Sequence, residues 1–400
     1  MNRDAAQVVA EVMGRERLRL VASLIRLTGD WGLAEDAVAD AAERGLTNWA
    51  AHGVPDNPAA WLTVASRNRA LDVLRRASME RSKLAEAAML ESPADPPRHD
   101  IGDDRLRLIF TCCHPALPME GRVALTLKVV CGLSMPAVAR AFLTSEATIG
   151  QRILRAKQKI ANAAIPYQVP AADALPDRLD GVLAVIYLVF TEGWAADADP
   201  ALAVEAIRLA RLMLTLIPAS DDVRNLLALV LLQHSRRAAR VVDGELVTLE
   251  RQDRSAWDAA AIAEAHALLA HGSGPRTGYR IQAELAAVHA DAASAQDTDW
   301  PAIVALYAEL LDLQPSPVVA LNRAVAIGLA DGPLAGLAEL DALAAEPVLH
   351  DYLPWHAARG ELLARAGRKA DAVAAFGRAR SLTRTEQERR QLDERLAELG

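Results

Sequence analysis

Residues 133–157 carry two short sets of apolar residues at helical spacing, separated by a turn signal. Ser134 and Pro136 suit the first turn of one helix, and Thr144 or Ser145 can cap a second. The positions expected to face inward are apolar in both helices: Leu133, Val138, Ala141, Phe142, Ile149, Ile153 and Ala156. This pattern predicts a helix, a tight turn and a second helix, and it constrains the fold more than any other segment.

The outward face of the second predicted helix is basic, and it comprises Thr148, Arg152, Arg155 and Lys157. Such a helix can lie in the major groove of DNA, with its N-terminal residues against base edges and its arginines against phosphate or guanine. A solvated amphipathic hairpin is the alternative interpretation, because basic outer faces are common on helices that bind nothing.

A second basic helix is predicted upstream, from Trp61 to Arg76. Its exposed positions hold hydrogen-bond donors: Arg67, Asn68, Arg69, Arg75 and Arg76. Before it, residues 8–50 are expected to form two helices separated at Thr28-Gly-Asp-Trp-Gly32, and the second of them has an acidic outer face. That face comprises Glu35, Asp36 and Asp40. Two basic helices on one chain favour two DNA-contacting modules.

The net charge of −8 hides an asymmetry between the two parts of the chain. Residues 1–165 hold 22 lysines and arginines against 19 acidic residues, whereas residues 166–400 hold 22 against 33. Attraction to phosphate is therefore expected only at the two basic helices, and the acidic part is expected to repel DNA or to contact a protein.

Composition predicts an all-α protein, since the chain is rich in alanine and leucine and only 4% aromatic. No run approaches the roughly 18 apolar residues of a spanning helix, and the first residues lack the apolar core of a signal peptide. We therefore expect a cytoplasmic protein with no membrane partner. No nucleophile with a base, phosphate-binding loop or metal-ligand spacing is evident, so we expect no enzyme activity, cofactor or metal.

Three cysteines are too few for a disulfide framework. Cys112 and Cys113 precede His114, and this cluster invites a metal or redox interpretation. Adjacent residues on a helix point in different directions and no second ligand pair follows, so ordinary buried thiols are the favoured interpretation.

Residues 177–400 form a succession of alanine-rich amphipathic helices. The segment Leu353–Leu382 has the alternation of small and large residues typical of a tetratricopeptide unit, and Ile303–Ala330 is a poorer candidate. Two clusters in this part allow either a structural or a binding interpretation. They are Phe190-Thr-Glu-Gly-Trp194, and Arg236, Arg237 and Arg240 with Asp253, Arg254 and Trp257.

Residues 8–163 resemble the extracytoplasmic-function (ECF) sigma factors of bacterial RNA polymerase. The resemblance is carried by Ala34-Glu-Asp-Ala-Val38, by Ala60-Trp-Leu62 together with Arg67 to Arg76, and by the hairpin Leu133–Lys157. Later segments resemble the subgroup with a C-terminal tetratricopeptide-like extension: Phe190–Trp194, Ser235–Arg240, Gln252–Ser255 and Pro317–Val325. The resemblance implies region 2 at residues 1–80, a linker at 81–102, region 4 at 103–165 and the extension at 177–400.

The resemblance also implies a role for each module. Glu35, Asp36 and Asp40 would contact core RNA polymerase. The −10 promoter element would be bound by the basic helix of region 2, through Trp61, Arg67, Asn68, Arg69, Arg75 and Arg76. The −35 element would be read as duplex by Thr148, Arg152, Arg155 and Lys157. Two positions depart from the family pattern, because Leu143 replaces a turn glycine and Gly150 replaces a basic residue.

The extension would modulate sigma activity and contact a protein or peptide partner, and the sequence leaves open whether it activates or restrains. A conventional helix-turn-helix regulator with a sensing repeat domain is the alternative. That class would use the 133–157 hairpin alone, normally as a dimer on a palindromic site. It has no need for the acidic helix or for the Trp61–Arg76 helix.

Overall fold

The computed structural model describes residues 5–85, 104–142, 144–194, 200–242, 245–271, 274–383 and 385–399. Within these ranges the regular elements are helices, apart from one antiparallel pairing of two-residue strands, in which Val241 pairs with Leu246. The predicted all-α fold class is confirmed. Among the described residues, no helix combines the length and the apolar character needed to cross a membrane.

The chain divides into two compact units, residues 1–189 and residues 190–400. The helices that begin in the first unit are α1 (Ala5–Thr28), α2 (Trp31–His52), α3 (Pro58–Ala85), α4 (Asp104–Cys112), α5 (Met119–Leu125), α6 (Met135–Ala141), α7 (Glu146–Asn162) and α8 (Leu175–Trp194), with a π-helical turn at Thr126–Val130. Helix α8 crosses the boundary between the units.

The second unit continues from the end of α8. Its elements are α9 (Pro200–Leu216), α10 (Asp221–Ser235), α11 (Arg237–Arg240), β1 (Val241–Val242), β2 (Glu245–Leu246), α12 (Ala259–Ala270), α13 (Gly278–Asp291), α14 (Trp300–Leu313), α15 (Pro317–Ala330), α16 (Pro333–Ala342), α17 (Leu353–Arg365), α18 (Lys369–Ser381) and α19 (Glu386–Leu399). Short 3₁₀ turns lie at Leu249–Arg251, Arg254–Ala256 and Pro347–Leu349.

Helices α1, α2 and α3 pack on one another through the apolar faces that the sequence predicts. The predicted break between α1 and α2 is confirmed: Gly29 has a φ of 67°, and the Asp30 carboxylate caps α2 by accepting a hydrogen bond from the Leu33 amide at 3.0 Å. Buried side chains join the three helices: Val21, Leu24, Ile25, Ala37, Val38, Leu62 and Ala70. This core holds the outer face of α3 away from the other two helices.

Helix α3 is longer than the sequence analysis predicts. It begins at Pro58, where the Asn57 side chain accepts a hydrogen bond from the Ala60 amide at 3.0 Å, and it continues to Ala85 instead of ending at Arg76. The reason is that residues 77–85 contain neither proline nor glycine and are mostly good helix formers. Residues 86–103, which hold most of the predicted linker at 81–102, lie outside the described residues.

The predicted hairpin at residues 133–157 is confirmed as α6 and α7. Ser134 accepts a hydrogen bond from the Ala137 amide at 3.3 Å, and Ser145 caps α7 by accepting one from the Thr148 amide at 3.2 Å. Val138, Ile149 and Ile153 are buried as predicted. Leu143, the residue predicted to replace a turn glycine, lies outside the described residues.

Side chains of α1 connect the three-helix part of the first unit to the part that contains α4–α7. The Arg17 guanidinium donates to the Val129 carbonyl at 2.9 Å, and Arg26 lies 3.0 Å from the Asp104 carboxylate. After α7, the Tyr167 hydroxyl donates to the Ala22 carbonyl at 2.9 Å. The two basic helices α3 and α7 therefore belong to one packed unit.

The second unit contains helical hairpins in sequence order. Helices α14 and α15 cover the poorer repeat candidate, and α17 and α18 cover the clearer one. Small residues allow close packing where α17 meets α18 and where α15 meets α16. A Cβ atom added at Gly360 would lie 2.9 Å from the Phe376 ring, and one added at Gly336 would lie 2.6 Å from the Gly328 Cα atom. The helices approach each other where only glycine fits.

Candidate polymerase and nucleic-acid interfaces

The outer face of α3 presents polar and apolar side chains to solvent. Arg67, Asn68, Arg75 and Arg76 are all exposed. At about 100° per helical residue, Asn68 shares its side of the helix with Arg75 and with Val64, four residues before it. Val64 is 58% exposed, which is unusual for a valine in a helix. Val64 is not among the residues predicted from the sequence, although its position four residues before Asn68 places it on this face.

The other two candidates on α3 have structural contacts. Trp61 is half-buried and its ring packs edge-on against Trp49 of α2, with 5.4 Å between ring centroids. Arg69 is also half-buried, and its Nε atom lies 3.4 Å from the Asp40 carboxylate. Both side chains therefore join α3 to α2, which fixes how the exposed residues of α3 are presented.

The three acidic candidates on α2 differ in their surroundings. Asp36 is exposed. Asp40 lies 3.1 Å from Arg44 and 3.4 Å from Arg69, so its charge is already compensated by cations of the same unit. Glu35 lies 3.6 Å from Arg17 and 3.0 Å from Lys157. Asp36 is thus the member of the set that is most open to a partner.

Helix α7 and the N-terminal end of α5 border a groove of about 840 Å³. Its helix α7 wall carries Thr148, Gln151, Arg152, Arg155 and Lys159. Thr148 and Arg155 are exposed, whereas Arg152 is half-buried: it lies 3.1 Å from Glu120 and stacks over the Phe142 ring at 5.3 Å. Gln151 and Lys159 are not among the residues predicted from the sequence, although their helical spacing from Thr148 and Arg155 places them on this wall.

Lys157 lies on the opposite side of α7 from the other three candidates. It follows Thr148 by nine residues, which at about 100° per residue is half a turn away. Its ammonium group contacts the Glu35 carboxylate at 3.0 Å and lies 6.0 Å from the centre of the Trp31 ring. In this conformation Lys157 joins α7 to α2 instead of facing the groove.

Gly150 does not bring α7 against another backbone. A Cβ atom added there would meet only the Met135 side chain, at 3.7 Å, which is an ordinary contact. Helix α7 runs without interruption from Glu146 to Asn162. Helix α7 is therefore regular at Gly150. Its surface has one hydrogen-bond donor group fewer than it would have with a basic residue at this position.

Cys112 and Cys113 are buried, and burial raises the pKa of both thiols, that of Cys113 to about 11. The Cys113 sulfur lies 3.5 Å from the Thr126 hydroxyl. Among the residues that the structure describes, no three His, Cys, Asp or Glu side chains are grouped closely enough to hold a metal ion. The two thiols pack as core residues of the first unit.

Comparison with known proteins identifies both parts of the first unit. Residues 13–79 match the sigma-70 region 2 family and residues 107–160 match sigma-70 region 4. Residues 178–273 match a family of unknown function, DUF6596.

Two relatives show how far these similarities extend. An uncharacterized protein of Rhizobium meliloti, R00370, is 43% identical over 96% of this chain and 94% of its own length. A probable ECF RNA polymerase sigma factor of Mycobacterium tuberculosis, SigI, is 30% identical over 39% of this chain, and the chain spans only 55% of that relative. The chain therefore belongs to one family with the Rhizobium meliloti protein and carries domains that match sigma-70 region 2 and region 4.

Proposed function

We propose that the protein binds core RNA polymerase and directs it to promoters as an ECF-type sigma factor. One observation carries the proposal: two exposed basic helices, each in a sigma-70 domain, lie within one packed unit next to an acidic helix. The domain boundaries of the proposal are region 2 at residues 1–80, a linker at 81–102, region 4 at 103–165 and a tetratricopeptide-like domain at 177–400. The proposal assigns the chain no catalytic step of its own.

For the −10 element, the proposed surface is the outer face of α3. Asn68 has the donor and acceptor needed to recognise a base edge, and the neighbouring Val64 offers an apolar contact to an unstacked base. Arg67, Arg75 and Arg76 would hold the phosphates of the displaced strand. Opening the duplex costs a few kcal/mol per extruded base, and these contacts would offset that cost. Trp61 and Arg69 would position this surface through their contacts with α2.

For the −35 element, the proposed surface is the groove side of α7. Thr148 lies near the N-terminus of the helix, where base edges are met, and Arg152, Arg155 and Lys159 follow on the same side. Lys157 would reach DNA only after leaving Glu35. We therefore assign base and phosphate contacts to the groove side.

For core RNA polymerase, the proposed contact surface comprises Asp36, Glu35 and Asp40. A basic partner surface would contact Asp36 directly and would displace Lys157 from Glu35. Loss of this ion pair would release α7 from α2. The proposed role of residues 177–400 is to modulate sigma activity through a protein or peptide partner.

Promoter opening by the complex of core RNA polymerase and the full chain tests the proposal. Opening is measured as permanganate reactivity of thymines near the start site, on a promoter selected from genomic DNA. Asn68→Ala should reduce opening at least tenfold, whereas Asn48→Ala, an exposed asparagine of α2, should leave it unchanged. Equal opening by both variants would contradict the −10 assignment. Specific duplex binding without core enzyme, and no opening with it, would favour the helix-turn-helix regulator.

A further inference from the structure

A short segment, which we call the strap, connects α7 to α8 and comprises residues 163–174. Near its start Ala164 has a φ of 47°, in the left-handed region that alanine rarely adopts. The Ile165 amide donates to the Ile160 carbonyl at 3.0 Å, and the Ile165 side chain is buried. The chain therefore turns away from the axis of α7, and a residue strained in this way persists only where the surrounding contacts hold it.

Tyr167, in the strap, contacts helices that carry the two sigma-70 matches. Its hydroxyl donates to the Ala22 carbonyl of α1 at 2.9 Å and lies 3.4 Å from the Asp104 carbonyl at the start of α4. Burial raises the pKa of Tyr167, so the hydroxyl keeps its proton and remains a donor. Tyr167 itself lies outside both matches, which cover residues 13–79 and 107–160. The strap is thus an additional connection between region 2 and region 4.

Both ends of the strap are fixed on the region 4 side of this connection. Its first residue follows α7 directly, and after its last residue Arg178 of α8 donates to the Phe110 carbonyl of α4 at 2.7 Å. Tyr167 lies between these two attachments and contacts α1. Separation of region 4 from α1 must therefore break the hydrogen bond between Tyr167 and Ala22.

The packed arrangement of the two regions limits what they can reach on DNA. By their names, the −35 and −10 elements lie about 25 base pairs apart, which is about 85 Å of duplex at about 3.4 Å per base pair. A compact unit of residues 1–189 has a radius of gyration of about 16 Å and spans about 40 Å. The next step rests on the proposed function. Because α3 and α7 cannot reach both elements within this unit, the two regions must separate before both elements are bound.

We propose that the strap is autoinhibitory and holds region 4 on region 2 until core RNA polymerase binds. Its release breaks the hydrogen bond from Tyr167 to the Ala22 carbonyl. Core polymerase favours the released form, because its proposed contact with Glu35 displaces Lys157. When a partner binds only a minor conformation, its apparent affinity is reduced by the fraction of the protein in that conformation. Weakening the strap should therefore tighten the binding of core polymerase.

Equilibrium binding of the full chain to core RNA polymerase tests the strap, measured as fluorescence anisotropy of a chain labelled at its N-terminus. Tyr167→Phe removes only the hydroxyl, and loss of this hydrogen bond should tighten core binding about threefold to tenfold. Tyr352→Phe removes the same group from the second unit and should bind core polymerase as the wild type does. A purely structural role of Tyr167 would give unchanged or weaker binding, because loss of folded protein cannot tighten it.

A second variant, Arg26→Gln, changes an exposed side chain and should fold even if Tyr167→Phe does not. It removes the ion pair with Asp104 that crosses the same boundary, and it should tighten core binding about twofold. Wild-type binding that neither variant tightens would overturn the role of the strap and leave the proposed function intact. If neither the wild type nor any variant binds core polymerase, the proposed function fails and the role of the strap fails with it.

Discussion

At the scale of single residues, the packing of α15 against α16 depends on two glycines. Gly336 faces the backbone of α15 at Gly328 and Ala324, where an added Cβ atom would lie 2.6 Å and 2.8 Å from main-chain atoms. Main-chain atoms cannot move out of the way, whereas the end of a long side chain can. The small residues that suggest a repeat in the sequence therefore have a direct steric function.

Gly336→Ala should destabilise the protein by about 1–3 kcal/mol, because the methyl group overpacks a helix crossing. Gly377→Ala is the matched control: Gly377 is exposed inside α18, and an added Cβ atom meets nothing within 4 Å. That control should be neutral or stabilising by up to about 1 kcal/mol, because alanine is the better helix former. Urea unfolding measures both, and equal stability of the two variants would contradict the steric account.

Burial also determines the chemistry of the adjacent cysteines. The folded chain holds the pKa of Cys113 near 11, above the ordinary value of 9.0, so the thiolate is scarce at pH 8. Iodoacetamide should therefore modify Cys112 and Cys113 only after unfolding in guanidinium chloride. As the pH rises from about 9 towards 11, the unfolded chain releases these protons while the folded chain retains them, so stability should fall in this window.

Peptide mapping by mass spectrometry distinguishes the three cysteines. Cys131 is less buried than the other two and serves as the internal comparison. Modification of Cys113 in the folded chain at the rate found for the unfolded chain would contradict this assignment of the thiols to the core.

At the scale of elements, the groove beside α7 contains a carboxylate, that of Glu120, which would compete with DNA for Arg152. The Glu120 carboxylate holds Arg152 at 3.1 Å and lies on the groove that the −35 duplex would enter. DNA bound at the proposed surface would have to displace this carboxylate from Arg152 and to approach its negative charge. Glu120 therefore limits affinity at the proposed surface.

Glu120→Gln should tighten binding of the polymerase complex to a −35 duplex about threefold to tenfold, because it removes both the competition and the repulsion. Glu43→Gln, at an exposed acid of α2, makes the same change of charge outside the groove. Fluorescence anisotropy at one fixed salt concentration compares the two variants. Affinity of Glu120→Gln no higher than that of Glu43→Gln would argue against the assigned groove.

The helices and most of their boundaries are predictable from the sequence, because helical periodicity and capping residues act locally. Asp30 and Ser145 cap the helices that the pattern predicts, and the break between α1 and α2 lies where expected. Helix α3 extends beyond its predicted end, since no local stop signal occurs at Arg76. Partners distant in sequence were not predictable: the contacts of Lys157 with Glu35, and of Arg69 with Asp40, depend on how the helices pack.

At the scale of the whole molecule, charge is distributed unevenly along the chain. The first 165 residues carry a net positive charge and hold both proposed DNA surfaces, whereas the remainder is acidic overall. Within that acidic part, Arg236 and Arg240 both lie over the Trp194 ring, and the net charge conceals this local cluster of positive charge. Periodicity predicted the helices of this part, but it gave no indication that these two arginines would meet Trp194.

The most direct test of the central claim is run-off transcription from a genomic promoter library, with purified core RNA polymerase and the full-length chain. We expect new, defined start sites that depend on the chain and disappear when Arg67, Asn68 and Arg75 are replaced together by alanine. Their shared upstream sequences would define the −10 and −35 elements that α3 and α7 bind. If the wild-type chain associates with core enzyme but adds no start site, the assignment as a sigma factor is contradicted.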